Sequence, residues 1–126
     1  MANKTIILVV EDEPSLRLLV RKVLERSGFE VLEAASGAEA LALWDHDKPQ
    51  VDLLLTDMVM PDGMSGRQLA ERLKADNPEL KVLFSSGYST ELLGKDLALR
   101  EGTNFLQKPY PPARLLQTVH NALGIV

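Results

Sequence analysis

The chain has 126 residues, no cysteine and a formal net charge of −4, with acids and bases scattered along it. That length accommodates one domain over residues 1–126 with a core that needs no staples, and the lack of cysteine excludes disulfides, thiolate metal sites and Cys nucleophiles. Scattered charge argues against a nucleic-acid footprint, the amino terminus lacks a secretory layout and no apolar stretch approaches transmembrane length, so a soluble, cytoplasmic chain without membrane contact is expected.

Short apolar runs alternate with amphipathic stretches, which predicts βα repeats around a parallel sheet. The first run, Thr5 to Val10, is followed by Glu11 and Asp12. A helix then opens at Pro14, and the spacing of Leu16, Leu19, Val20, Val23 and Leu24 predicts its inward stripe before Gly28 stops it. Phe29 to Ala34 reads as the second strand, and Ser36-Gly37-Ala38-Glu39 as a capping box opening a helix through Trp44. The third strand, Asp52 to Thr56, leads to Asp57; the third helix runs from about Ser65 to Ala75 with Leu69, Ala70 and Leu73 inward, and Asn77-Pro78 ends it. Lys81 to Ser85 is the fourth strand, and Glu91 to Arg100 a fourth helix weakened by Gly94. Thr103 to Leu106 is the fifth strand; a fifth helix begins near Pro112 and is expected to bury Leu116, Val119 and Leu123.

Continuous apolar runs of this kind are strands buried on both faces, the habit of parallel sheets, whose carboxyl ends bind ligands. If the first and third strands are neighbours, Glu11, Asp12 and Asp57 converge. Two like charges at ~5 Å and an effective dielectric of ~20 repel by roughly 3 kcal/mol, so the cluster calls for a cation. An all-oxygen donor set suits Mg²⁺ or Mn²⁺. The plain alternative for any one of these acids is a loop start or a helix cap. Ser85-Ser86-Gly87 closes the fourth strand and Lys108-Pro109 the fifth, adding a hydroxyl and an ammonium at the same sheet edge. Carboxylate, metal, hydroxyl and ammonium around one acid suit phosphoryl transfer onto it. Ser86 alone is an ordinary turn residue and Lys108 alone an ordinary solvated charge; their order at four strand ends is what carries the signal.

With these residues in place the chain resembles the receiver domains of bacterial two-component response regulators, through Leu8-Val9-Val10-Glu11-Asp12-Glu13, Asp57-Met58-Val59-Met60-Pro61, Ser86-Gly87 and Lys108-Pro109. The resemblance spans nearly everything from Thr5 to Leu123. It implies a flavodoxin-like (βα)5 fold, a five-stranded parallel sheet in the order 2-1-3-4-5. It implies that Asp57 is the phosphoacceptor, taking the phosphoryl group from a phosphohistidine of a partner kinase. Asp12, Asp57 and the backbone carbonyl of Val59 would bind Mg²⁺ directly, with Glu11 acting largely through water. Ser86 would turn toward the phosphoryl group, Lys108 would pair with it, and the bond before Pro109 would be cis. Phe105 falls at the family's switch aromatic, for which plain core is the alternative. Val59 and Tyr88 fall where the family flanks the path of the attacking water and sets the lifetime of the phosphoryl group. Such a chain catalyses only its own phosphorylation and dephosphorylation; its partners would be a histidine kinase phosphodonor domain, a histidine phosphotransfer protein, or both.

Met60-Pro61-Asp62-Gly63-Met64-Ser65-Gly66, Ser86-Gly87-Tyr88 and Leu106-Gln107-Lys108-Pro109-Tyr110 look most like receivers at the carboxyl end of hybrid sensor histidine kinases, whose parent protein can be membrane-anchored. A free-standing receiver is the other possibility. The chain departs from the commonest receiver pattern in one extra residue before Gly66 and in Tyr110 and Ser86, where phenylalanine and threonine are usual. Three readings compete. A phosphatase of the haloacid dehalogenase type also uses a strand-end Asp with Mg²⁺, but places a second Asp two residues on, where this chain has Val59. A flavin or nucleotide binder of the same architecture would want a glycine-rich turn in place of Glu11-Asp12-Glu13-Pro14. A receiver fold kept only for docking would not need all of Glu11, Asp12, Asp57, Ser86 and Lys108. His46 and His120 are read as structural or surface residues.

Overall fold

The computed structural model describes residues 4–47, 50–60, 63–87 and 99–125. Five parallel strands, β1 (Ile6–Val10), β2 (Glu30–Ala34), β3 (Leu53–Asp57), β4 (Lys81–Ser86) and β5 (Phe105–Gln107), form one sheet in the order β2-β1-β3-β4-β5. Among the described residues four helices accompany them: α1 (Pro14–Arg26), α2 (Gly37–Asp47), α3 (Gly66–Asp76) and α4 (Pro112–Leu123). None is long and apolar enough to cross a membrane. Residues 88–98 lie outside the described residues; they take in Tyr88 and most of the fourth helix expected over Glu91 to Arg100, as 61–62 take in Pro61 and Asp62 of the loop after Asp57.

The alternating side chains of each strand divide between two cores. Leu8, Val10 and Leu54 pack with Trp44, Leu69 and Leu73 from α2 and α3. Ile7, Val9, Leu53 and Leu55 pack with Val20, Leu24, Leu115 and Val119 from α1 and α4. Both faces of the central strands are therefore covered, which is why the runs read as unbroken apolar sequence.

Local signals explain the helix ends. Glu13 caps α1, its carboxylate accepting from the backbone N–H of Ser15 at 3.3 Å and of Leu16 at 2.7 Å. Gly28 leaves the helix at φ +95°, a conformation that L side chains rarely adopt. A capping box opens α3, Gln68 N–H donating to Ser65 Oγ at 3.1 Å and Ser65 N–H to Gln68 Oε1 at 2.9 Å. At the expected box of α2, Glu39 N–H donates to Ser36 Oγ at 3.1 Å.

Several expectations shift. Asp57 is the last residue of β3, and Ser86 of β4. The stripe of α1 narrows: Val20 and Leu24 are buried, Leu16 and Val23 half-buried, and Leu19 is 46% exposed, outside both cores. On α4 the buried leucine is Leu115 rather than Leu116, with Leu116 and Leu123 packed at the margin of the core. Leu115 and Val119, four residues apart, lie one above the other on the buried face together with Thr118.

Candidate functional site

The register lines up the carboxyl ends of four strands. Val10 of β1 faces Ala34 and Thr56, Asp57 of β3 faces Ser85, and Ser86 of β4 faces Gln107. Because β1 sends its chain to β2 on one side and lies against β3 on the other, the β1 and β3 ends flank the switch point of the sheet, the usual place for a ligand crevice. There Glu11, Asp12 and Asp57 each offer a carboxylate oxygen, all within 4.8 Å of one another. Glu11 and Asp57 are buried and Asp12 is exposed.

Glu13, the third of three consecutive acids, behaves as the plain alternative has it and caps α1. Its own N–H donates to Glu11 Oε2 at 3.1 Å. Lys108 reaches in from just beyond β5, its Nζ 2.6 Å from Glu11 Oε1 and 3.0 Å from Asp57 Oδ2. Its backbone N–H donates to the Ser86 carbonyl at 2.8 Å, and the Lys108–Pro109 bond is cis. One ammonium thus stands among three carboxylates. Burial, above all, pushes the Asp57 carboxyl above its ordinary value; Lys108 opposes this and Asp12 adds to it. Glu11 is raised for the same first reason, again against Lys108. Burial pulls Lys108 down, but its hydrogen bonds to Glu11 and Asp57 prevail and its net shift is upward.

Ser86 is buried at the end of β4, one residue beyond the partner of Asp57. Phe105 is fully buried in β5, opposite Phe84. Val59 stands in the loop after β3 and is 60% exposed. Neither histidine belongs to the acid cluster: His46 is exposed near the end of α2, and the half-buried His120 on α4 meets the ring of Phe29 in a tilted contact with centroids 5.9 Å apart.

Three neighbours of the site carry no chemical signal in the sequence. Gly66, the first residue of α3, donates its N–H to the Met58 carbonyl at 2.9 Å and presses on the backbone of Asp57. Arg17, on α1, donates to the Glu11 carbonyl at 2.8 Å. The half-buried Tyr110 has its phenol pushed above the ordinary value by burial and then by the charges of Glu11 and Asp57. Only Gly66 had a usable clue, a glycine placed just after a Ser cap where helix propensity disfavours it.

All donors in the cluster are carboxylate oxygens, two of them buried, with one ammonium to offset three charges. That set fits a hard divalent cation.

Residues 7–120 match the response regulator receiver domain. The chain is 34% identical to the sensor kinase CckA of Brucella abortus over 98% of its own length and 13% of that protein's. It is 32% identical to the response regulator receiver protein CpdR of the same organism, over 93% of this chain and 95% of the relative. It superimposes on the crystal structure of the receiver domain from the hybrid histidine kinase CckA with a TM-score of 0.76 at 36% identity, covering 94% of this chain and 98% of that one. The span is therefore nearly the whole of one relative and a small fraction of another.

Proposed function

The chain belongs to the response regulator receiver domain family, and from that premise we propose that Asp57 accepts a phosphoryl group from a phosphohistidine of a partner histidine kinase or phosphotransfer protein in a Mg²⁺-dependent reaction. The observation that carries the reading is the convergence of Glu11, Asp12 and Asp57 within 4.8 Å, beside the Lys108 ammonium.

Asp12, Asp57 and the Val59 carbonyl would hold Mg²⁺, with Glu11 acting through water. The metal would supply charge neutralisation on the phosphoryl oxygens. An Asp57 carboxylate oxygen attacks phosphorus, the P–O bond forms as the P–N bond to the donor imidazole breaks, and the imidazole leaves with its electron pair. Lys108, already 3.0 Å from Asp57, needs only a small swing to pair with a phosphoryl oxygen. Ser86 donates its hydroxyl proton to another. Burial of Asp57 favours transfer, because a carboxylate poorly solvated before reaction loses little hydration in it.

The work of such a domain is a switch, in which the new phosphoryl group alters a protein-binding surface. The likeness to the CckA receiver supports a parent of the hybrid kinase kind, and the likeness to CpdR a free-standing receiver. Sequencing outward from both ends of the coding region separates them. Incubation with acetyl phosphate and Mg²⁺, read by intact mass, should add one phosphoryl group to the wild type and none to Asp57→Asn. Labelling that persists in Asp57→Asn sinks the assignment.

A further inference from the structure

One peptide unit joins Glu11 to Asp12, so its orientation sets where both carboxylates start. Around it Glu11 is held by named partners: its N–H donates to the Ala34 carbonyl at 3.1 Å, Oε2 accepts from Glu13 N–H at 3.1 Å and Oε1 meets Lys108 at 2.6 Å. The carbonyl of the shared peptide accepts from Arg17 Nη1 at 2.8 Å. Arg17 is itself fixed from the other side. Its Nε meets Glu33 Oε1 of β2 at 3.2 Å, while Glu33 Oε2 meets Arg21 Nη1 at 2.7 Å. Glu33 sits opposite Val9 in the β1–β2 register, so the arginine fork spans from one strand to the strand end beside it.

We propose that Arg17 is a positioning residue for the metal-binding carboxylates, locking the peptide between Glu11 and Asp12 by its hydrogen bond to the Glu11 carbonyl. The proposal rests on the reading of the acid cluster given above. Charge pairing does not account for the geometry: the guanidinium spends one arm on a neutral carbonyl, and its charge is already met by Glu33. Only a planar fork serves both partners at once; a lysine ammonium is a point donor on a flexible stem. Arg21 shares Glu33 but meets Glu25 with its other nitrogen, at 3.3 Å, which makes it the matched control.

The sign of one measurement separates positioning from electrostatics. A cation near a metal site repels the metal, so deleting a merely electrostatic arginine tightens Mg²⁺ binding, whereas deleting a positioning arginine weakens it. Mg²⁺ alone is titrated calorimetrically into wild type, Arg17→Ala, Arg17→Lys and Arg21→Ala, with melting temperatures recorded alongside. Arg17→Ala should bind Mg²⁺ roughly tenfold more weakly or worse, the usual cost of losing a group that orients a metal ligand. Arg17→Lys should recover only part of the loss, and Arg21→Ala should bind as the wild type does. Phosphorylation of Arg17→Ala by acetyl phosphate should return to the wild-type rate at saturating Mg²⁺, as a defect in affinity requires. Unchanged or tighter binding in Arg17→Ala overturns the proposal, and so does an equal loss in Arg21→Ala. If Arg17→Ala does not fold, Arg17→Lys decides: wild-type affinity there overturns the proposal, and weakened affinity supports it. A wild type that binds no Mg²⁺ overturns the reading of the acid cluster itself and the role of Arg17 with it.

Discussion

Gly66 lies against the backbone of Asp57 so closely that a Cβ on the glycine would overlap the Asp57 carbonyl oxygen and stand 3.0 Å from its carbonyl carbon. The amino end of α3 is thereby seated on the strand end that carries the proposed phosphoacceptor, an approach that only a residue without a side chain permits. In an open helix position Gly→Ala gains up to about 1 kcal/mol. Here the neighbour is backbone, which cannot turn aside. Gly66→Ala should lose about 1–3 kcal/mol of stability in urea denaturation, and slow phosphorylation as the shifted helix carries Asp57 out of place. A variant as stable as the wild type would show that the loop after β3 yields freely.

The pH dependence of the metal-free protein follows from the two buried acids. Glu11 and Asp57 are both raised, first by burial, so the folded state holds their protons more tightly than the unfolded chain does. Such groups contribute stability that is fully present below the unfolded carboxylate range of about 4 and lost as pH rises through the folded values. In chelator, the stability gap between Asp57→Asn and wild type should therefore widen in favour of the variant as pH rises from about 4 toward 7. Mg²⁺ must meet deprotonated carboxylates, so its stabilisation of the wild type should be larger at neutral than at acidic pH. Thermal unfolding with and without Mg²⁺ across that range checks both signs. A Mg²⁺ increment independent of pH argues that the carboxylates do not hold the ion.

The sheet was legible because its strands are buried on both faces, so five apolar runs announced five parallel strands and their order of polar endings announced one edge. Glu11, Asp12, Asp57 and Lys108 meet because each follows such a run. What periodicity misjudged was phase on amphipathic helices: Leu115 takes the buried place expected of Leu116, because two adjacent leucines on a helix lie about 100° apart and packing chooses between them, while on α1 Leu18 and Leu19 are both exposed. Gly66 and Arg17 were hidden for a different reason. Their roles lie in contacts with main-chain oxygens, and neither pattern nor chemical type in a sequence records where a carbonyl points.

Ser86 and Phe105 are joined through β5: Ser86 faces Gln107 in the register, and Phe105 lies two residues before it. Full burial of Phe105 accords with plain core packing and with an inward switch position alike. The two differ in response. A switch needs the phosphoryl group to favour one of two arrangements, and its hydrogen bond to Ser86 would supply that difference. Ser86→Ala should still be phosphorylated, yet show a smaller chemical-shift change at Phe105 and along β5 than the wild type. An undiminished change at Phe105 would mean that its ring is core and nothing more.

How long the phosphoryl group survives should depend on what lies over Asp57. Val59, two residues beyond Asp57 in the chain, is 60% exposed, so its side chain is not part of the packed core. An apolar isopropyl group there has neither donor nor acceptor with which to orient an attacking water. Tyr88, two residues beyond Ser86 in the chain, lies outside the described residues, and the resemblance alone puts it among the positions expected to set the lifetime. Both features predict slow hydrolysis unless a partner assists. Val59→Asn would give the water a polar handle and Tyr88→Ala would remove any screening by the phenol, and both leave Asp57, Lys108, Glu11 and Asp12 in the sequence unchanged. Each variant is phosphorylated with acetyl phosphate, freed of donor and followed by intact mass. Faster decay than the wild type is expected in both, by several-fold for Val59→Asn if the general acid–base scale of about 10²–10⁴ is only partly recruited. Identical decay in all three proteins would show that these two side chains do not set the lifetime.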